Sequence, residues 1–213
     1  MTAPLTIVLA THNPGKVHEF AALLADLPIQ VQSLLDFPAI GSLPEEGDTY
    51  AANAISKALA VARATGRVAL ADDSGLEVDA LEGAPGVHSS RWLGDQATDA
   101  DRNAAVLARL RNVPPVRRTA RFRAVVAVAS PDLTVRTFEG VVEGRIADRP
   151  AGSQGFGYDP IFLVPEYGRT MAELGAKIKD TISHRARAVH SARAYLATIA
   201  RGVADPPTEM LRP

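Results

Sequence analysis

Two apolar, strand-forming segments, Ala120–Ala129 and Leu133–Ile146, flank the short connection Ser130-Pro131-Asp132. A link that short joins antiparallel strands, because parallel partners need a crossover of a dozen residues or more. A purely parallel sheet is therefore excluded. Ahead of this hairpin, strand-like and helix-like segments alternate. Leu5–Ala10 reads as a buried strand, and Asn13-Pro14 starts a helix, with Asn as N-cap and Pro at the first helical position. Val17, Phe20, Leu23, Leu24 and Leu27 then recur at helical spacing. Ile29–Leu34 is a second strand, and residues 37–48, rich in Pro, Gly and acid, form a loop. A long Ala-rich helix opens at Asp48-Thr49 and closes at Gly66.

Val68–Ala71 reads as a short strand that ends in Asp72-Asp73-Ser74-Gly75, with Leu76–Leu81 alternating as a separate one. Residues 82–97 look irregular. Thr98-Asp99-Ala100-Asp101 is a capping start for a helix to about Arg111. Ile161–Val164 is a last short strand, and Thr170–Leu174 starts as a short helix. His184–Ala200 closes the chain as a helix with a buried stripe of Val189, Ala192, Leu196 and Ile199. Residues 205–213 carry three Pro and read as a flexible tail. The pattern predicts an α/β fold with a mixed β-sheet flanked by helices.

At 213 residues the chain suffices for one large domain with a substantial core. A formal net charge of −1 gives no basis for non-specific binding to nucleic acid or to an anionic membrane. An anionic ligand must instead be met by a local pocket. Cysteine is absent, which excludes disulfides, thiol catalysis and thiolate metal sites. With neither a signal-like nor a membrane-spanning segment in view, the expected location is the cytoplasm. Of 23 basic residues only four are Lys, at positions 16, 57, 177 and 179. Three of those four fall in or beside segments suited to phosphate, where a compact ammonium is useful.

Three segments carry chemistry. In Thr11-His12-Asn13-Pro14-Gly15-Lys16, a strand passes through a Gly-containing turn into a helix N-terminus, which offers unpaired N–H groups, side-chain donors and a cation to phosphate oxygens. The Walker A spacing is missing, and an ordinary capped turn with a solvated lysine fits the same residues. Asp72 and Asp73, adjacent at a strand end, point to opposite sides and so have different jobs. One or both suit Mg²⁺, which takes one or two carboxylates plus substrate phosphates, and a carboxylate there can also activate water. A self-capping Asp-Asp-Ser-Gly turn is the plainer alternative. Glu45 and Glu46 are possible further ligands, or a solvated acidic turn. In Gly155-Phe156-Gly157-Tyr158-Asp159-Pro160 two rings stand between glycines in a chain with only 5% aromatic residues. They suit stacking on a base or a hydrophobic plug under a loop. Asp159 either accepts from a base N–H or braces that loop. Lys179 and Ser183-His184-Arg185 stand at the entrance of the last helix, with Ser183 as N-cap. His12, His18, His88 and His190 show no metal spacing with one another.

At these residues the chain resembles the inosine triphosphate pyrophosphatase (Ham1-like) family, which acts on dITP, ITP and XTP. The resemblance runs from about Leu5 to Ala200. It rests on Thr11-x-Asn13-x-x-Lys16, Asn53-Ala54-x-x-Lys57-Ala58, Ala71-Asp72-Asp73-Ser74-Gly75-Leu76, Gly83-Ala84-Pro85-Gly86-Val87, Gly155-Phe156-Gly157-Tyr158-Asp159-Pro160 and Ile182-Ser183-His184-Arg185. It implies an elongated sheet in a single domain, 1–204, with two lobes around a central nucleotide cleft, and a homodimer. It implies hydrolysis of those triphosphates to monophosphate and pyrophosphate, with Asp73 as proton acceptor and Mg²⁺ ligand and Glu45 as the second metal-binding acid. Thr11, His12, Asn13, Pro14, Gly15, Lys16, Lys57, Ser74, Phe156, Gly157, Tyr158, Asp159, Lys179, His184 and Arg185 would bind the substrate. Gln154 and His88 depart from the family pattern, away from the implied metal site. The residues alone leave open a pyrophosphatase preferring dTTP or UTP, and a non-catalytic nucleotide-sensing module.

Overall fold

A computed structural model describes residues 4–202. β1 (Leu5–Leu9), α1 (Pro14–Leu24) and β2 (Ile29–Ser33) form a crossover unit, and α2 (Tyr50–Thr65) leads into β3 (Val68–Val78). α3 (Asp99–Arg109) precedes the hairpin of β4 (Thr119–Ala129) and β5 (Val135–Ile146). β6 (Phe162–Val164), β7 (Arg169–Thr170), α4 (Met171–Ile182) and α5 (His184–Ala200) follow. The strands form one sheet in the order β2-β1-β3-β4-β5-β6-β7. β1 runs parallel to β2 and β3, and the later pairs are antiparallel. This is the mixed α/β sheet the hairpin requires. Among the described residues no helix is long and apolar enough to cross a membrane. The expected tail at 205–213 lies outside the described residues.

Local chemistry explains the helix ends. The Asn13 side chain accepts from the N–H groups of Gly15 (2.8 Å) and Lys16 (3.3 Å), with Pro14 at the first helical position of α1. Thr49 caps α2, whose C-terminus stops at Gly66 with φ 63°. Thr98 and Asp101 form a reciprocal capping box on α3. α4 is longer than the expected Thr170–Leu174 turn. Helical geometry breaks at Gly175, where φ is 75° and ψ 163°, and resumes to Ile182. That left-handed-side conformation favours glycine, and the second stretch is what carries Lys179.

The expected break at Asp72–Gly75 does not occur. β3 is one continuous strand, paired with β4 from Ala69 opposite Ala129 to Val78 opposite Ala120. A ten-residue ladder outweighs the turn preference of Asp, Ser and Gly. Gly75 belongs in it for steric reasons: a Cβ there would lie 2.3 Å from the Gly86 carbonyl oxygen and 2.6 Å from Ser89 Oγ.

Alternation along the strands sorts the core. On one face Ile7, Leu9, Leu70 and Val126 pack with Phe20, Leu24, Val189 and Leu196 of α1 and α5. Farther along that face Leu76, Val78 and Phe122 pack with Val106, Phe162 and Met171. The opposite face sets Val8, Ala71 and Val125 against Ala54, Ala58 and Val61 of α2. Asp72 and Ser74 lie between Leu70 and Leu76, so they occupy a polar gap between two apolar clusters on a single face. The α5 stripe expected at Val189, Ala192 and Leu196 is buried, with Ile199 packed at its margin.

α5 sits directly on the backbone of β5 at Gly140, where a Cβ would lie 2.1 Å from the His184 carbonyl oxygen and 2.4 Å from the Ala188 nitrogen. Gly140→Ala should therefore overpack this contact at a cost of about 1–3 kcal/mol. Urea unfolding would read it as a lower midpoint with an unchanged slope; an unmoved midpoint would contradict this seating.

Candidate active site

The two neighbouring acids of β3 face opposite sides of the sheet, as strand geometry demands. Asp73 looks toward α2. Its Oδ2 accepts from Asn53 Nδ2 at 3.1 Å, and its Oδ1 from Lys57 Nζ at 3.1 Å. Lys57 also donates to Glu45 Oε1 at 2.6 Å and to the Asp72 carbonyl at 2.9 Å. An ammonium has three donors, so Lys57, expected among the substrate-binding groups, is committed to protein acceptors. It positions Asp73 and Glu45. Arg91 completes this group, meeting Glu45 Oε2 at 3.0 Å. Glu46 is exposed.

Asp72 faces the other way, toward α1 and α5. Lys16 Nζ lies 2.9 Å from its Oδ2 and Arg185 Nη2 at 3.0 Å, with the Ser74 hydroxyl donating at 3.1 Å. Arg185 is 1% exposed and also bonds Glu19 and Ser74. Glu19 in turn meets Lys179 Nζ at 2.7 Å, and Lys179 donates to Asp159 Oδ2 at 2.5 Å. Asp159 is the loop brace of the two roles open to it, since the same oxygen accepts from the Phe156 N–H at 3.0 Å.

These surroundings move the two acids in opposite directions. Burial raises the pKa of Asp72, but Arg185 and Lys16 outweigh it and hold the carboxyl well below its usual range. Burial also raises Asp73; Lys57 opposes this, the Glu45 charge adds to it, and the result lies above the ordinary value. Glu45 itself is held down, because Lys57, Lys16 and Arg91 overcome the effect of burial. Burial pushes the His184 imidazole well below its normal pKa, helped by Arg185, so the ring is neutral.

The three segments converge. A Cβ on Gly15 would touch the Phe156 ring at 3.0 Å, so the first loop and the late aromatic loop are in contact. Asn13, Lys16, Ser74, Phe156, Gly157, Tyr158, Asp159, Lys179, His184 and Arg185 line one cavity of about 300 Å³. Thr11, His12, Lys16, Glu45, Lys57 and Asp72 line a second of about 210 Å³. Lys16 belongs to both. A larger hollow of about 640 Å³ between α1 and α5 lies away from these groups.

Several expectations change in detail. The N–H groups of Gly15 and Lys16, offered to phosphate by the sequence, are satisfied by Asn13 Oδ1. Pro14 is exposed at the turn. Tyr158 is not the twin of Phe156: it is buried in the core, and its hydroxyl donates to the Ser89 carbonyl at 2.9 Å. Phe156 is the ring left for stacking, with Lys179 Nζ 4.6 Å and the Arg185 guanidinium carbon 5.6 Å from its centroid. His184 stacks on Phe122 at 4.8 Å, and its buried Nδ1 has no partner.

Sequence reasoning missed the groups that brace the site from elsewhere. Asp99 accepts from the Gly157 N–H at 2.8 Å, and Asn103 donates to the Gly157 carbonyl at 3.0 Å. Glu19 could have been found, because it lies three residues beyond Lys16 on the same helical face.

Among the described residues no cluster of three or more His, Asp or Glu is arranged to hold a metal. Glu45 and Asp73 nevertheless converge on a single ammonium. Two hard carboxylates of that kind fit Mg²⁺, which takes its remaining ligands from water and phosphate.

Residues 7–195 match the family model described as the Ham1 family. The chain belongs to the Ham1 family. It is 52% identical, over 90% of its length and 96% of the relative's, to a dITP/XTP pyrophosphatase of Desulforamulus reducens. A dITP/XTP pyrophosphatase of Thermus thermophilus is 49% identical over 99% of this chain and 98% of its own. The solved HAM1 protein of Coxiella burnetii superposes with a TM-score of 0.81 at 43% identity, covering 93% of this chain and all of that one. The Ham1 family is thus shown by sequence and by fold together.

Asp72 and Asp73 should separate cleanly in stability. A depressed carboxyl pKa stabilises the fold above the unfolded value of about 3.9, and that stability is lost as pH falls through the folded value. Asp72→Asn, which leaves Lys16 and Arg185 short of a counter-charge, should cost about 3–5 kcal/mol at neutral pH. The raised pKa of Asp73 has the opposite sign: its charge disfavours the fold at neutral pH. Asp73→Asn should leave stability level or improved. Denaturant melts at pH 7 and pH 4 compare them, and equal losses in both variants would refute the distinction.

Proposed function

We propose that this protein hydrolyses the non-canonical purine nucleoside triphosphates dITP, ITP and XTP to the monophosphate and pyrophosphate, as a Mg²⁺-dependent homodimer in the cytoplasm. The observation that carries this reading is the pair of cavities joined at Lys16. One presents an aromatic face and buried polar groups; the other presents Asp73's neighbours Glu45 and Lys57, beside the Thr11–Lys16 loop. A base in the first would lead its phosphates into the second. The dITP/XTP activity named for the relatives supports the same class of substrate.

Asp73 is the general base. It is buried, its pKa is raised, and Asn53 and Lys57 fix its two oxygens, so it is poised to accept the proton of an attacking water. In-line attack at the α-phosphorus expels pyrophosphate past Lys16, which lines both cavities. Asp73 and Glu45 would hold Mg²⁺, which supplies positive charge to the triphosphate. That supply is needed because the cations here are already paired: Lys57 with Glu45 and Asp73, Lys16 with Asp72.

Phe156 stacks on the base. The neutral His184 and the Lys179 ammonium meet its 6-position, where a keto oxygen satisfies donors that an adenine amino group would leave unpaired, a difference of about 1–3 kcal/mol. The test is a panel of dITP, ITP, XTP, GTP, ATP, dTTP and UTP with pyrophosphate as readout. Preference for dTTP or UTP would move the enzyme to another base class, and binding without release would make it a sensor. In the same assay Asp73→Asn should lower turnover of ITP about 10²–10⁴-fold while nucleotide binding survives. Undiminished turnover would remove Asp73 from the chemistry.

A further inference from the structure

We propose that Arg102 of α3 is a specificity-determining residue that reads position 2 of the purine, favouring a 2-keto base and rejecting a 2-amino one. The proposal rests on the base cavity assigned in the preceding subsection. Arg102 lines that cavity together with Phe156, Lys179 and His184. It is 9% exposed, and its Nε is buried without a hydrogen-bond partner. Its Nη1 is tied to Asp99 Oδ1 at 3.1 Å, while the other oxygen of Asp99 accepts from the Gly157 N–H at 2.8 Å. Asn103, the next residue, holds the Gly157 carbonyl at 3.0 Å. The guanidinium is therefore fixed relative to the loop that carries Phe156. Its Nε is closed off from the cavity, and among the described residues Nη1 is the one nitrogen engaged by a protein acceptor, so the guanidinium brings a spare donor to the wall it lines. Such a group favours an acceptor and penalises a second donor.

Lys179 and His184 come from α4 and α5, whereas Arg102 comes from α3. A purine stacked on Phe156 with its 6-keto group toward the first pair leaves position 2, next but one around the ring, for a different wall. Three bases with the same 6-keto group differ there: hypoxanthine carries hydrogen, xanthine an oxygen acceptor, guanine an amino donor. Arginine donates and never accepts. It satisfies xanthine, is indifferent to hypoxanthine, and opposes guanine donor to donor. This supplies a polar device against GTP, the abundant nucleotide such an enzyme must spare.

The experiment measures kcat/KM for XTP, ITP and GTP with the full chain and with Arg102→Met and Arg102→Gln. Ratios taken within one preparation cancel any loss of folded protein. Arg102→Met should reduce the XTP-to-ITP ratio about tenfold, the loss of one charge-assisted hydrogen bond, and should raise GTP relative to ITP. Arg102→Gln, whose amide oxygen can accept from a 2-amino group, should raise GTP further. If Arg102 only steadies Asp99 and the Gly157 loop, all three substrates fall together and the ratios stay fixed; that result overturns the proposal. Calorimetric affinities for XMP, IMP and GMP provide a readout free of catalysis. Should the parent protein release pyrophosphate from none of the triphosphates, a preference for XMP that disappears in Arg102→Met would retain the specificity role while the catalytic reading fell. Unchanged affinity ratios would overturn the role itself.

Discussion

The structure depends on burying charge in the middle of a sheet without leaving any of it alone. On one face the ion pairs alternate in sign: Lys16 to Asp72, Asp72 to Arg185, Arg185 to Glu19, Glu19 to Lys179, Lys179 to Asp159. On the other face Arg91, Glu45, Lys57 and Asp73 alternate likewise. Each set sums to zero charge when its acids are ionised. Removing Asp72 from the first set leaves Lys16 and Arg185 short of a counter-charge in a low-dielectric setting, which costs several kcal/mol. The first set also ties α1, β3, α4, α5 and the Phe156–Asp159 loop into one frame, so the groups that shape the base cavity are fixed by the same pairs that neutralise the interior.

This neutrality has a chemical consequence. A site already balanced has little positive charge to spare for a triphosphate, unlike a Walker-type loop that presents free N–H groups and an unpaired lysine. Here Asn13 caps its own helix, and Lys57 spends its donors on Glu45, Asp73 and the Asp72 carbonyl. Under the proposed function, the compensating charge would arrive with the substrate, and the acids that converge on Lys57 would receive it. The net charge of the whole chain, −1, agrees with a protein that handles an anion locally and not by a basic surface.

Much of this was legible in the sequence because it is set by short-range rules. The hairpin, the caps at Asn13, Thr49, Thr98 and Ser183, and the buried stripe of α5 each follow from spacing or from a few adjacent residues. The reading failed where a long-range contact overrode a local preference. Asp72-Asp73-Ser74-Gly75 has turn chemistry, yet β4 pairs with it throughout. Tyr158 looks like a second stacking ring until its hydroxyl is seen on Ser89, a residue distant in the chain. Asp99 and Asn103 belong to a helix start that is explained by Thr98 and Asp101 alone, so nothing nearby in sequence signals their grip on Gly157. The motif residues marked the cavities; the residues that hold those motifs in place left no local trace.

The contrast between Asp72 and Asp73 shows why adjacency in a strand is useful. The two side chains share a backbone, and both are buried, so desolvation works against the charge of each. What differs is the supply of cations. Asp72 has Arg185 and Lys16, and the attraction exceeds the cost of burial. Asp73 has Lys57, whose charge is divided with Glu45, and the second acid adds repulsion of its own. One carboxylate is thereby made a permanent anion that organises the frame. Its neighbour keeps a higher proton affinity, which suits the base role proposed for it. A single ammonium serving two acids is enough to make that difference, and the twofold period of the strand keeps the two environments apart.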